Sequence, residues 1–172
     1  MSDLKTSAEQ AFSYLRPYLF AGQIAALERL SKGQEGEYFL RLVVDLAGRI
    51  RSVPAMDHGP EVTNDSPVML HYFFQGSDWY IFELQHVEED DVVLGFGWAI
   101  LGGDYQMAEL GYIGVSELLS CGVELDFYFP PKTLGQVRLE HVSRSNHGSS
   151  AIRSLMRDNP KIVNGRITYF TE

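Results

Sequence analysis

The sequence predicts an α+β fold, in which an N-terminal helical segment packs on a mainly antiparallel β-sheet and a C-terminal helix and hairpin extend it. Three observations carry this. Apolar residues recur at three- and four-residue spacing up to about Arg51, and alternate with a period of two from Val68 to Phe129. Asn164-Gly165 stands between Ile162-Val163 and Ile167-Thr168-Tyr169-Phe170, a strong signal for a two-residue hairpin.

The first helix is placed from about Ala8, with Ser7 and Gln10 at capping-box spacing and Pro17 limiting it. A second spans about Gly22 to Lys32, with Ile24, Leu27 and Leu30 in register and Gly33 as its stop. The third runs from about Glu35 to Arg51, where Phe39, Leu42, Val43, Leu46 and Ile50 form an apolar stripe and Pro54 closes the segment. Such stripes are buried against a core, and the adjacent sheet is the expected partner. His58-Gly59-Pro60 and Asn64-Asp65-Ser66-Pro67 then read as loop, with His58 a solvated loop residue.

Strands are expected over Val68–Gln75, Trp79–Val87, Val92–Leu101, Tyr105–Ile113 and Val123–Phe129, the first four joined by short turns as a meander. In the second, Tyr80, Phe82, Leu84 and His86 are assigned to one face. In the third, Gly95, Gly97 and Ala99 make a small-residue face that invites close approach. Ser116 is expected to cap a short helix ending at Gly122, and a further helical turn is expected over Ala151 to Arg157. The resulting divisions are a helical segment 1–56, a linker 57–67, a sheet domain 68–137 and a basic extension 138–172.

Charge is distributed unevenly over the 172 residues, whose formal net charge is -9. Seven basic groups stand against six acidic ones in residues 1–51, none against 14 in 52–131, and seven against three in 132–172. A stretch so acidic repels nucleic acid, so direct binding of nucleic acid by the central sheet is not expected. The basic tail, with Arg138, Arg144, Arg153, Arg157, Lys161 and Arg166, has few aromatics among its charges and is a weak candidate for a nucleic-acid arm. The one cysteine, Cys121, cannot form an intramolecular disulfide and suits a reducing compartment. With no signal-peptide pattern and no membrane-spanning apolar run, a cytoplasmic protein is expected.

Few residue patterns in the chain point to chemistry. No two of the five His stand at the H-x-x-x-H spacing that places two ligands on one helix face, and no metal site or cofactor is expected. No G-x-S-x-G elbow or phosphate-cradling loop is present. Glu83 and Glu109 lie within otherwise apolar strands, where burial would raise a carboxylate's pKa; with His71 they form the one catalytic or ligand-binding set to weigh, beside Trp79 and Tyr112. The competing assignment leaves both glutamates solvent-facing. The favoured partner-binding set is acidic: Glu88, Glu89, Asp90 and Asp91 in one turn, with Asp78 and Asp104 at neighbouring turns.

Several strings carry a resemblance. Asp78-Trp79-Tyr80, Glu109-Leu110-Gly111-Tyr112 followed by Ser116-Glu117-Leu118, Glu124-Leu125-Asp126 with Phe129 and Pro131, and Thr133-Leu134 resemble an uncharacterised domain family carried on bacterial plasmids, phages and integrated elements. Leu15 to Gln23 is similar to the helical leader that precedes this domain in some plasmid-borne members. The resemblance covers about Val68 to Val137 and implies a mobile-element context without an activity. Together with the charge map it leads to the expectation of a non-enzymatic inhibitor of a host defence protein, of anti-CRISPR or anti-restriction type, whose acidic surface imitates DNA and meets a basic nucleic-acid-binding surface. The alternative is a small-ligand binder or hydrolase-like enzyme built on Glu83, Glu109 and His71.

Overall fold

The computed structural model describes residues 2–56, 61–144, 161–163 and 166–168. Helices α1 (Ser2–Leu15), α2 (Ala21–Leu30) and α3 (Gly36–Arg51) come first, with a 3-10 turn at Arg16–Tyr18. Strands β1 (Pro67–Val68), β2 (Leu70–Phe74), β3 (Ser77–Val87), β4 (Val92–Ile100) and β5 (Glu109–Gly114) follow, then α4 (Val115–Ser120), β6 (Glu124–Leu125), β7 (Lys132–Thr133) and α5 (Leu134–Arg144). Strands β8 (Lys161–Val163) and β9 (Arg166–Thr168) pair antiparallel around Asn164-Gly165, the hairpin expected there. His58 and the helical turn expected over Ala151 to Arg157 lie outside the described residues.

The main sheet has the order β5-β4-β3-β2-β6 and every pairing in it is antiparallel, so the expected meander forms its body. Helices cover both faces because both faces are apolar. On one, Ala11, Leu15, Ile24, Leu27, Val43, Leu46 and Ile50 from α1–α3 share a core with Leu70, Tyr72, Ile81, Val93, Ile113 and Leu125. On the other, Leu134 and Val137 of α5 pack with Val68, Tyr80, Phe82, Phe96, Trp98, Ile100 and Phe129. The fold is therefore α+β as the periodicities require. The division expected at 137/138 instead falls inside α5.

Local departures have identifiable causes. Helix α1 begins at Ser2, so the Ser7/Gln10 capping pair lies within it. A register shift between Ile81 and Glu83 inserts a bulge in β3, after which Leu84 faces α1–α3 while Tyr80 and Phe82 stay together on the α5 face. The single face expected for Tyr80, Phe82, Leu84 and His86 therefore holds for the first two and breaks at Leu84, with the His86 ring lying 5.9 Å from Tyr18 on the α1–α3 side. The expected strand Val123–Phe129 contracts to Glu124–Leu125, and Tyr105–Met107 forms a 3-10 turn ahead of β5. The small-residue face of β4 is filled from within the sheet: a Cβ at Gly95 would meet Ile81 Cδ1 at 3.3 Å, and one at Gly97 would meet Ile113 Cδ1 at 2.9 Å and the Tyr80 carbonyl.

Helix α2 is tied to the sheet by one side-chain amide. Gln23 Nε2 donates to the Leu125 carbonyl, and the Leu125 N–H donates to Gln23 Oε1, both at 2.9 Å. Gln23→Leu leaves both backbone groups without these partners and is expected to cost about 1–3 kcal/mol, read as a lowered urea midpoint at unchanged slope.

Buried tyrosines join the layers. Tyr72, fully buried in β2, donates its hydroxyl to the Tyr18 carbonyl at 3.0 Å. Burial raises the pKa of Tyr72, and burial with the neighbouring Tyr14 and Glu88 raises that of Tyr18. Tyr105 is pushed up to about 12 by burial, against an opposing influence of Arg138. An unfolded tyrosine loses its proton near pH 10. The native state holds these protons longer, so stability falls as pH rises through about 10 towards 12. A denaturation series followed by tyrosinate absorbance checks this, and a stability flat across that window counts against it.

Candidate functional site

The expected partner-binding residues divide between the two ends of the sheet. Glu88, Glu89, Asp90 and Asp91 form the exposed β3–β4 turn, where Asp91 adopts a left-handed conformation (φ 50°) and its carboxylate lies 3.0 Å from His86 Nε2. Glu117 joins that end, since the neighbouring Ser116 Oγ accepts from the Val93 N–H at 2.8 Å, fixing the start of α4 against the start of β4. Asp104 is exposed at the other end, where its side chain accepts from the Gln106 N–H at 3.1 Å. Asp78 lies near that end too. The ten-residue separation of Asp78 from Glu88 along β3 corresponds to about 33 Å of extended chain. The six residues do not make one continuous patch.

Asp78 is half-buried and held against a histidine, unlike the exposed carboxylates of the other expected positions. Its Oδ1 lies 2.7 Å from His71 Nε2, while Asp126 Oδ2 lies 3.3 Å from His71 Nδ1, so the imidazole is bracketed by two carboxylates. The register brings this about: His71 faces Tyr80 across β2 and β3, Phe73 faces Asp78, and the Asp126 N–H donates to the His71 carbonyl at 2.8 Å just past β6. Asp126 is held further by accepting from the Tyr128 N–H through Oδ1. The His71 ring stacks on Tyr80 at 4.6 Å and 7°, and its side chain retains 14% of its exposure. A cavity of about 350 Å³ opens here, lined by His71, Phe73, Gly76, Ser77, Asp78 and Asp126.

The alternative set of Glu83, Glu109 and His71 is not brought together. The aligned pairs His71↔Tyr80, Tyr80↔Trp98 and Trp98↔Leu110 put Leu110 on the His71 face, so the adjacent Glu109 points to the other. Three strand spacings, about 14 Å, also separate β2 from β5. Glu109 is exposed on the edge strand, Glu83 is half-buried at the β3 bulge, and Tyr112 is exposed with its ring against Phe96. Asp126, the carboxylate that does reach His71, was not among the expected site residues. Its signal was the Asp126-x-Tyr128 turn following a short apolar run, a weak one.

The bracketed histidine does not make a nucleophile–base pair. Both ring nitrogens face carboxylates, and Ser77 Oγ accepts from the Gly102 N–H at 2.9 Å. Among the described residues, no three His, Cys, Asp or Glu side chains are arranged to hold a metal ion.

A second polar cluster lies beneath α5. Tyr80 and His141 meet at 2.6 Å between Oη and Nε2, and Trp98, Tyr105 and Arg138 surround them. Arg138, only 7% exposed, donates through Nη1 to Asn64 Oδ1 at 2.8 Å, while its Nε and the Tyr105 hydroxyl have no hydrogen-bond partner among the described residues. Burial lowers the Arg138 pKa, with Tyr105 opposing. A third feature is a groove of about 530 Å³ between α1 and α2, reaching Leu40 of α3, where Lys5 and Lys32 are mixed with Glu9 and Glu28. It contains none of the expected site residues.

Among the described residues no helix is long and apolar enough to cross a membrane. No family model, curated protein or solved structure matches the chain.

Proposed function

We propose that this is a non-enzymatic acidic binding protein of a mobile genetic element, which acts in the cytoplasm by occupying the basic nucleic-acid-binding surface of a host defence protein, as an anti-CRISPR or anti-restriction inhibitor does. One observation carries the reading. Residues 52–131 contain no Lys or Arg, and of the 13 described carboxylates there, ten are exposed, namely Glu61, Asp65, Glu88, Glu89, Asp90, Asp91, Asp104, Glu109, Glu117 and Glu124. The β3–β4 hairpin presents Glu88 to Asp91 with Glu117 at the same end of the sheet, an anionic end that a cationic surface would meet first. Imitation of a DNA duplex in full would need both ends of the sheet to engage at once.

The immobilised chain is expected to capture a protein that binds duplex DNA by itself. Capture should be strong at about 50 mM salt, lost at about 500 mM, and competed by duplex DNA. Serine at Glu88, Glu89, Asp90 and Asp91 together should weaken it roughly tenfold or more. Retention indifferent to those four substitutions would remove the main support.

A further inference from the structure

The cavity beside the β2–β3 turn presents hydrogen-bond acceptors and few donors. Both nitrogens of His71 are directed at carboxylates, and Ser77 Oγ already accepts from Gly102. Asp126 Oδ1 accepts from Tyr128, whereas the second oxygen of Asp78 has no hydrogen-bond partner among the described residues. Among the described residues, no Lys or Arg lines the cavity. Among the described residues, the guanidinium whose charge Asp126 supports is that of Arg49, whose Nη1 donates to the Phe127 carbonyl at 2.6 Å and whose Nε and Nη2 are buried without hydrogen-bond partners there. Two carboxylates thus face one permanent cation, and His71 contributes charge only when protonated.

Shape points the same way as charge. The Phe73 ring, 40% exposed, stands 5.7 Å from the His71 ring with 32° between their planes, giving the cavity a flat aromatic wall. A planar cation can lie on such a wall while its N–H groups reach a carboxylate edge, which a guanidinium does in a fixed fork and an ammonium does not.

We propose that the His71–Asp78–Asp126 cavity is a receptor for a guanidinium group, seated on Phe73 with its N–H groups donating to Asp78. The site stands independently of the acidic hairpin described above. Its occupant is either the side chain of a partner's arginine or a small free guanidine, and the chemistry of recognition is common to both.

Methylguanidinium titrated into the full-length protein at millimolar concentration, followed by amide and imidazole NMR, tests the proposal. Saturable shifts are expected at Phe73, Gly76, Ser77 and Asp78 and at the His71 ring, at least tenfold weaker with butylammonium. Urea, which has the same planar donors without the charge, should give none. Asp78→Asn should weaken binding at least tenfold. If that variant is unfolded by circular dichroism, Phe73→Ala at the exposed wall should still reduce affinity several-fold. An arginine with blocked termini distinguishes the sources: binding at least tenfold tighter than methylguanidinium identifies a side chain, and equal or weaker binding a free guanidine. Shifts absent from these residues, or equal shifts with urea, overturn the proposal.

Discussion

Gly97→Val is expected to cost about 3–5 kcal/mol, a large share of the 5–15 kcal/mol that stabilises a typical domain. Gly97 lies in β4 between β3 and β5, paired with Ile81 on one side and Gly111 on the other. A Cβ there would run into the Tyr80 carbonyl, and the backbone has no rotamer by which to yield; Ile113 Cδ1, at 2.9 Å, blocks the remaining direction. Accommodating a side chain therefore means separating β3 from β4, the pair on which both cores rest. Gly111→Val on the neighbouring strand is the control, since nothing lies within 4 Å of a Cβ at that position. Urea denaturation should show a large loss for the first variant and a small change for the second. Equal midpoints would mean that β4 is not packed as closely as described.

Trp98→Ala is the second large effect, expected at about 3–5 kcal/mol. Trp98 is 3% exposed and touches most of the aromatic cluster under α5: its ring centroid lies 5.9 Å from Tyr80, 5.5 Å from Tyr105 and 6.2 Å from His141. It also carries the guanidinium of Arg138 at 5.4 Å, the one aromatic face that this buried cation has among the described residues. Removing the ring deprives Arg138 of this contact and leaves a cavity beside it. The two losses are coupled, so a double-mutant cycle with Arg138→Met should show an interaction of about 0.5–2 kcal/mol. Strict additivity would show that the cation–π contact contributes nothing.

How far these features could be read from the chain depends on the range over which each is specified. Helices α2 and α3 and strands β2 to β5 follow from apolar periodicity within single segments, and the Asn164-Gly165 hairpin follows from turn chemistry alone. The bulge at Ile81–Glu83 escaped because it is set by pairing with β4, with no local residue marking it. Helix α5 was missed although it carries a signal: Thr133 and Gln136 form a reciprocal capping box, in which the Thr133 N–H donates to Gln136 Oε1 at 2.8 Å and the Gln136 N–H to Thr133 Oγ1 at 3.2 Å. Pro130-Pro131 before it and Gly135 within its first turn obscured the helical start. At the candidate site, His71 was legible as an interesting residue. Its partners were not, because 55 residues separate it from Asp126 and only the placement of β6 beside β2 brings the two together. Asp78 reads like Asp104, a carboxylate at a glycine-containing turn, and only the pairing of β2 with β3 brings it to His71.

The amide clamp from Gln23 gives the sheet a polarity with respect to association. A sheet that is open along both sides can add copies of itself without limit, whereas one that is open along a single side can at most pair once and stop. Here Leu125 in β6 presents its outward N–H and carbonyl to Gln23, so a strand arriving on that side meets a ladder already occupied. At the opposite side β5 has no further strand paired to it among the described residues. Among the described residues, association through the edges of this five-stranded sheet is thus limited to the β5 side. Breaking the clamp would create a second sticky side and, with it, a route from dimers to fibres.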